Sequence, residues 1–463
     1  MASNNLQQEL TRLLPADQVR LDQEAFEIYG KDWTKHITPK PSAVTFPKTT
    51  AQVKALVDWA RTQKMALVPS GGRTGLSGAA IAYNGEVVVS FERMNRILEF
   101  DPFDQTVVCE PGVITEQLQN YALEKGLYFP VDFASRGSSQ VGGNIATNAG
   151  GIKVLRYGLF RNWVAGLQVV TGSGEVLELN KSLVKNATGY DLRHLFIGSE
   201  GTLGLITQAT MQLTRPPQEL AVFLFAVPNL GAVMKIYHAF KSKTSLIAYE
   251  MFTDLALKYV TQYTGLKSPL NEASPYYVVV EIEKDSATAE DTAMQIFESG
   301  IEKGWLSDGL LAQTPQQAKD FWRFREDISE ATAPGKPYKN DISVRIAKVP
   351  EFLLEMDALL KSKYPTFEVV WFGHIGDGNL HINIIKPANL TSEEFLKQCH
   401  AVDEHLFDMI ERFGGSVSAE HGVGLTKKPY LSHTKSIAEI EIMRKIKRQF
   451  DPDGIMNPGK IFD

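Results

Sequence analysis

The first half of the chain alternates short apolar runs with glycine. The stretch "TTAQVKALVDWARTQK" (49–64) places Val53, Leu56, Val57 and Ala60 at helical spacing, with Thr50 as the expected cap. "MALVP" then reads as a strand that runs into a glycine loop. "QVVTGSGEVLEL" (168–179) reads as a hairpin around Gly172-Ser173-Gly174. This glycine-rich half ends near "TRPPQE", where Pro216 and Pro217 mark a boundary. Beyond about 218 the pattern becomes α+β. Helices such as 286–303 alternate with strands such as 276–283 and 368–375, and no glycine loop recurs until 373. The tail predicts a helix and then an irregular Gly/Pro segment. The N-terminus predicts a short amphipathic helix, without the basic start and apolar core of a signal peptide. The most apolar run, 221–234, is short and broken by Pro228 and Asn229, so no membrane span is expected.

At 463 residues the chain exceeds one ordinary core. The expected division is 1–217, 218–415 and a C-terminal segment 416–463. The formal net charge of −6 argues against nucleic acid as a partner, which would need a basic face. Cys109 and Cys399 are too few for a disulfide framework or a thiolate metal site, which points to a reducing, cytoplasmic setting.

Three segments carry candidate chemistry in the first half: "PSGGRTGLSGAA" (69–80), "GSSQVGGNIATNAGG" (137–151) and "GSEGTLGLIT" (198–207). Glycine lets backbone N–H groups approach an anion closely and form a nest for phosphate oxygens. Gly72, Gly75 and Gly78 do not have the spacing of a nicotinamide-type loop, and no Walker-type Gly-Lys-Ser/Thr is present. Three such clusters, rich in Ser, Thr and Asn, predict a long ligand bearing a pyrophosphate.

The second half contains "HIGDGNLH" (374–381). With Asp377-Gly378 as a two-residue hairpin loop, 376 would pair with 379, 375 with 380 and 374 with 381. His374 and His381 would then stand opposite each other, with Cβ atoms about 4.5–5.5 Å apart, and Asn383 would share their face. "SAEHGVG" (418–424) adds Glu420 and His421. His374, His381 and Glu420 make a two-histidine, one-carboxylate set with open positions, as in a catalytic site for zinc or another divalent metal.

These motifs together resemble the FAD-binding oxidoreductases of the vanillyl-alcohol oxidase, or p-cresol methylhydroxylase, type. The resemblance rests on Pro69, Ser70, Gly71, Gly72, Arg73, Thr74, Gly75, Leu76 and Ser77. It continues through Val141-Gly142-Gly143-Asn144 with Asn148, Ala149 and Gly150. It extends to Gly198-Ser199-Glu200-Gly201-Thr202-Leu203-Gly204 with Ile206, to "NATGYDL" (186–192), and to Asn457 in "NPGKIF". It implies an α+β protein with a two-subdomain FAD-binding domain and an α+β substrate (cap) domain with an antiparallel sheet. The first two loops would hold the FAD pyrophosphate and the third would lie along the adenosine half. No histidine stands in 71–74 to tether the flavin, so non-covalent FAD is implied.

"HIGDGNLH" with "AEHGVG" resembles the subgroup that oxidises D-2-hydroxy acids, which includes D-lactate, glycolate and D-2-hydroxyglutarate enzymes. In its metal-dependent members the residues matching His374, His381 and Glu420 hold zinc, and the one matching His421 is the catalytic base. The stretch 321–344 resembles the substrate-binding segment of the D-2-hydroxyglutarate members. Arg325, Ser329 (where threonine is expected) and Lys339, with Asn383, would meet the substrate. The implied substrate is D-2-hydroxyglutarate, with D-malate a shorter candidate and D-lactate or glycolate the alternative. The implied electron acceptor is a soluble electron-transfer flavoprotein or a quinone, and a homodimer is compatible with the family.

Overall fold

The computed structural model describes residues 2–34 and 37–463. The chain forms two compact units. The first comprises Met1–Gly150, Gly158–Pro216 and Glu420–Asp463; the second comprises Gly151–Tyr157 and Pro217–Ala419. Among the described residues, no helix is long and apolar enough to cross a membrane.

The first unit contains two sheets. One has four strands, in the order Val19–Arg20, Ala43–Thr45, Val87–Ser90, Leu67–Ser70; the last three run parallel. The helix Thr50–Gln63 covers this sheet because Val53, Leu56, Val57 and Ala60 fall on one stripe, and all four are fully buried. Its cap is Thr49 rather than Thr50: the Thr49 side chain accepts the Gln52 N–H, and Thr50 is already helical. The second sheet is antiparallel, in the order Ile97–Asp101, Thr106–Cys109, Gly204–Gln212, Val164–Thr171, Val176–Leu179. The helix Ile437–Phe450 and the irregular tail complete the unit, and Met456 bridges to Leu67.

The second unit is a seven-stranded, fully antiparallel sheet. Its order is Asp308–Leu311, Leu220–Val227, Tyr276–Glu283, Ser245–Thr253, Val369–Gly373, Asn379–Ile384, Tyr338–Ser343. The helix Pro315–Glu326 packs Phe321 and Phe324 onto it, in one core with Phe252, Val279 and Phe372. The helix expected at 286–303 spans Ala289–Glu302.

The turn after Val369–Gly373 departs from the expected two-residue hairpin. His381 stands opposite Phe372, not His374, and Ile382 stands opposite Trp371. The expected pairs 374/381, 375/380 and 376/379 therefore do not form. His374 instead opens a longer connection, its carbonyl accepting the Asp377 N–H at 3.0 Å. Gly378 has a φ of +86° while Asp377 stays at negative φ, so the two-residue turn that needs both is excluded. The reason is tertiary. The Gly376 N–H donates to Tyr249 O at 3.3 Å, and its carbonyl accepts the Tyr237 hydroxyl at 2.9 Å. A Cβ on Gly376 would meet Leu155, Tyr249 and Tyr237 at 3.0–3.3 Å. The turn is packed into the core instead of standing as an exposed hairpin tip.

Candidate active site

The glycine loops of the first unit meet around one cleft. Pro69, residues 71–75, Ser77, Gly142, Gly143, Asn144, Glu200, Gly201, Gly204 and Ile206 line it, and so does His421. Ser70, Leu76, Asn148, Gly150 and Asn457 are not part of this lining. Asn148 ends the helix Val141–Thr147 at a φ of +51°, and its side-chain oxygen accepts the Arg161 N–H. Asn457 donates to the carbonyls of Ala79 and Glu200 at 2.9 and 2.7 Å.

The loops have to be glycine for two different reasons. A Cβ on Gly72 would lie 2.2 Å from Ser138 O, and one on Gly201 would lie 2.4 Å from Pro69 Cγ. These glycines let one loop lie against the next. Gly143 is the opposite case: a Cβ there would meet no protein atom within 4 Å, because it would project into open space. Two buried polar atoms of the lining, Ser77 Oγ and Gln140 Oε1, have no hydrogen-bond partner. Such orphans are costly unless a ligand satisfies them. Exposed backbone at glycine and unsatisfied hydroxyl and amide groups fit a cofactor with phosphate oxygens and hydroxyls.

In the second unit the candidate residues gather on one face of the sheet. Residues directly opposite each other, and residues two apart on one strand, share a face. Phe252 faces Phe372, Phe372 faces His381, His381 faces Asp341, and Asn383 faces Lys339. Glu250, two residues before Phe252, therefore shares that face, as do Lys339 and Asn383. The last turn of the helix Pro315–Glu326 delivers Arg325 to it, with the guanidinium 4.9 Å over the Phe372 ring. The His374 and His381 rings lie 5.4 Å apart, nearly perpendicular.

Glu250 ties this face together, and the sequence reading did not single it out. Its carboxylate lies 2.8 Å from His374 Nδ1 and 2.9 Å from Arg325 Nη2, and the three side chains are nearly fully buried. Asp341 plays a looser version of the same part, 3.6 Å from His381 Nδ1 and accepting the Asn379 amide at 2.7 Å. A carboxylate at Nδ1 favours the tautomer whose Nε2 carries a lone pair, which is how second partners orient metal-binding histidines. Arg325 Nε is buried with no hydrogen-bond acceptor. The signal that could have found Glu250 is its place as the one charged residue in the apolar strand "SLIAYEMFT".

Other expected residues fall less tightly. Ser329 is exposed, in a separate helix Ile328–Thr332 that starts after the break at Asp327. Lys339 is exposed on the edge strand. Asn383 donates to Thr332 Oγ1 at 3.4 Å. Ala419 N–H donates to Asp341 O at 3.3 Å on the edge strand.

Residues 216–461 match the model of the C-terminal domain of FAD linked oxidases, and residues 41–180 match that of a FAD binding domain. The chain is 55% identical over 454 residues to D-2-hydroxyglutarate dehydrogenase of Stutzerimonas stutzeri, covering 98% of each. It is 52% identical to the protein of the same name from Xanthomonas citri pv. viticola, covering 98% of this chain and 96% of the relative. The mitochondrial protein of that name from Bos taurus is 34% identical, with 98% and 82% covered. Among solved structures, p-cresol methylhydroxylase with substrate bound superposes with a TM-score of 0.76 at 17% identity, covering 100% and 98%. The 4-ethylphenol oxidase of Gulosibacter chungangensis does so with 0.78 at 18%, covering 99% and 97%. At such low identity these structures speak for the fold alone. Taken together, the two domain matches and the full-length relatives show that the chain belongs to the FAD-linked oxidases, and the solved structures show that its fold is that of p-cresol methylhydroxylase.

Proposed function

We propose that this chain oxidises D-2-hydroxyglutarate to 2-oxoglutarate with FAD held non-covalently in the glycine-lined cleft. The observation that carries this reading is the 55% identity, across 98% of both chains, to a D-2-hydroxyglutarate dehydrogenase. When bound, FAD supplies a two-electron acceptor for the hydride on the substrate Cα. His374, His381 and Glu420 would hold a divalent cation, zinc or a similar ion, and such an ion when bound lowers the pKa of a ligating hydroxyl.

The chain's own residues account for the rest. Arg325 offers a buried N–H with no acceptor, and a substrate carboxylate would satisfy it. Glu250 holds Arg325 and His374 in fixed orientations, so the groups are positioned before substrate arrives. Lys339 and Asn383, opposite each other on the same sheet face, extend the polar surface toward a second carboxylate. His421, at the cofactor cleft, takes the hydroxyl proton as general base. Electrons then leave to an electron-transfer flavoprotein or a quinone.

Substrate preference tests this reading. Arg325→Ala is expected to lower kcat/KM for D-2-hydroxyglutarate about tenfold to a hundredfold, the value of a lost charge-assisted hydrogen bond. Arg325→Lys is expected to recover only part, because it lacks the guanidinium fork. An Arg325→Ala enzyme with unchanged kcat/KM would remove Arg325 from the substrate site.

A further inference from the structure

The loop that carries His421 is gripped by the cofactor loops themselves, within the first unit. The Glu200 carboxylate accepts two consecutive backbone N–H groups. Val423 donates to Oε1 at 2.7 Å and Gly424 donates to Oε2 at 2.8 Å. Glu200 is 4% exposed, so these bonds are shielded from water. The first glycine loop adds a second grip: Ser77 O accepts from Leu425 at 2.9 Å and from Thr426 at 3.0 Å.

Glu200 is itself held in an uncommon conformation. Its φ is +51°, a region that costs a non-glycine residue strain unless its surroundings impose it. They do so here: its N–H donates to Ala146 O at 2.8 Å, and its carbonyl accepts the Asn457 amide at 2.7 Å. That backbone turn aims the side chain at residues 422–424. The fit is close, because a Cβ on Gly422 (φ +74°) would lie 2.8 Å from Glu200 Oε1. Glu200 and His421 line the same cleft.

We propose that Glu200 is a positioning residue that sets the place of His421 by holding the backbone of Val423 and Gly424. The carboxylate from the third glycine loop fixes the loop that carries the base, so the order of the cofactor site and the placement of the base are one structural event. This rests on the reading of His421 as the general base. A carboxylate is the suitable group because it presents two acceptors at the spacing of two successive N–H groups. An amide presents one acceptor, and its NH₂ would face a donor.

The test compares Glu200→Gln, Gly422→Ala and His421→Ala as purified flavoproteins with the wild type. FAD content is read from the flavin spectrum. The rate of anaerobic flavin reduction is read against D-2-hydroxyglutarate concentration, and amide hydrogen exchange is read over 418–426. Glu200→Gln and Gly422→Ala are expected to keep wild-type FAD content and the wild-type half-saturating substrate concentration. Their limiting reduction rate should fall roughly tenfold to a hundredfold, the scale of a misplacement of about 1 Å, with faster exchange at Val423 and Gly424. His421→Ala should keep FAD and lose reduction. Wild-type reduction rates in Glu200→Gln and Gly422→Ala would overturn the proposal. So would a loss of FAD in proportion to the loss of rate, which would make Glu200 a cofactor contact. Full-rate reduction in His421→Ala would overturn the underlying base assignment instead.

Discussion

The cleft of the first unit and the sheet face of the second offer their ligands different things. In the cleft the binding surface is mostly backbone, and its shape is set where a side chain is missing: Gly72 against Ser138, Gly201 against Pro69, Gly143 open to the space between. On the sheet face the surface is side chains, and its shape is set by buried carboxylates: Glu250 between His374 and Arg325, and Asp341 beside His381. A backbone surface can cradle a large cofactor without committing charge. A charged surface selects among small acids that differ by a single carboxylate. The difference teaches where each site should be fragile: the first to added atoms, the second to removed charges.

The largest expected effect breaks the second site. Glu250→Ala leaves Arg325 and His374 buried without their carboxylate, and the loss of one partner from a buried pair costs about 3–5 kcal/mol. Urea unfolding at fixed pH measures it. A loss under about 1 kcal/mol would show that Arg325 and His374 do not depend on Glu250.

The next effect concerns charge in the first site, where little is expected. Burial pushes the Glu200 carboxyl up to about 7, although the Val423 and Gly424 N–H groups and Lys460 pull it down. Its folded pKa thus lies above its ordinary value of 4.5, so between about pH 4.5 and 7 the folded state keeps a proton that the unfolded chain has released, and the two-acceptor carboxylate is complete only above about pH 7. Its contribution to stability is complete below about pH 4.5 and is lost as pH rises to about 7, by at most about 3 kcal/mol. Glu200→Gln should flatten that part of the stability–pH curve. An unchanged slope from pH 4.5 to 7 would place the titration on another group.

The smallest effects separate the two kinds of glycine. Gly201→Ala meets Pro69 at a φ of +72° and should cost the protein about 2 kcal/mol even without flavin. Gly143→Ala lies in a helix with open space beyond it, so the apoprotein should gain up to about 1 kcal/mol while FAD affinity falls at least about tenfold. Thermal unfolding of the apoproteins and flavin titration measure both. Equal behaviour of the two variants would mean that Gly143 does not face the cofactor.

The same contrast explains what could be read before the structure. The glycine loops are local: each is a run of neighbouring residues whose backbone needs are written in its own letters. Helix 50–63 and strand Tyr276–Glu283 were legible for the same reason, as one buried stripe and one apolar run. The turn at 374–378 was misread because its register is decided by Tyr237 and Tyr249, residues more than 100 positions away that clasp Gly376. The face expected for His381 and Asn383 holds because the observed register differs by two residues, which preserves the side of the sheet; that Lys339 shares it is seen only in the structure. Glu250 escaped because its partners are distant in sequence. A carboxylate in the middle of an apolar strand was the available sign.

The most direct measurement is anaerobic bleaching of the flavin by D-2-hydroxyglutarate, D-malate and D-lactate in turn, each with and without chelator. Rapid bleaching by D-2-hydroxyglutarate is expected, lost with chelator and restored by zinc, with D-lactate effective only at far higher concentration. Equal bleaching by D-lactate at the same low concentration would contradict it, because the charged sheet face would then not be selecting a second carboxylate.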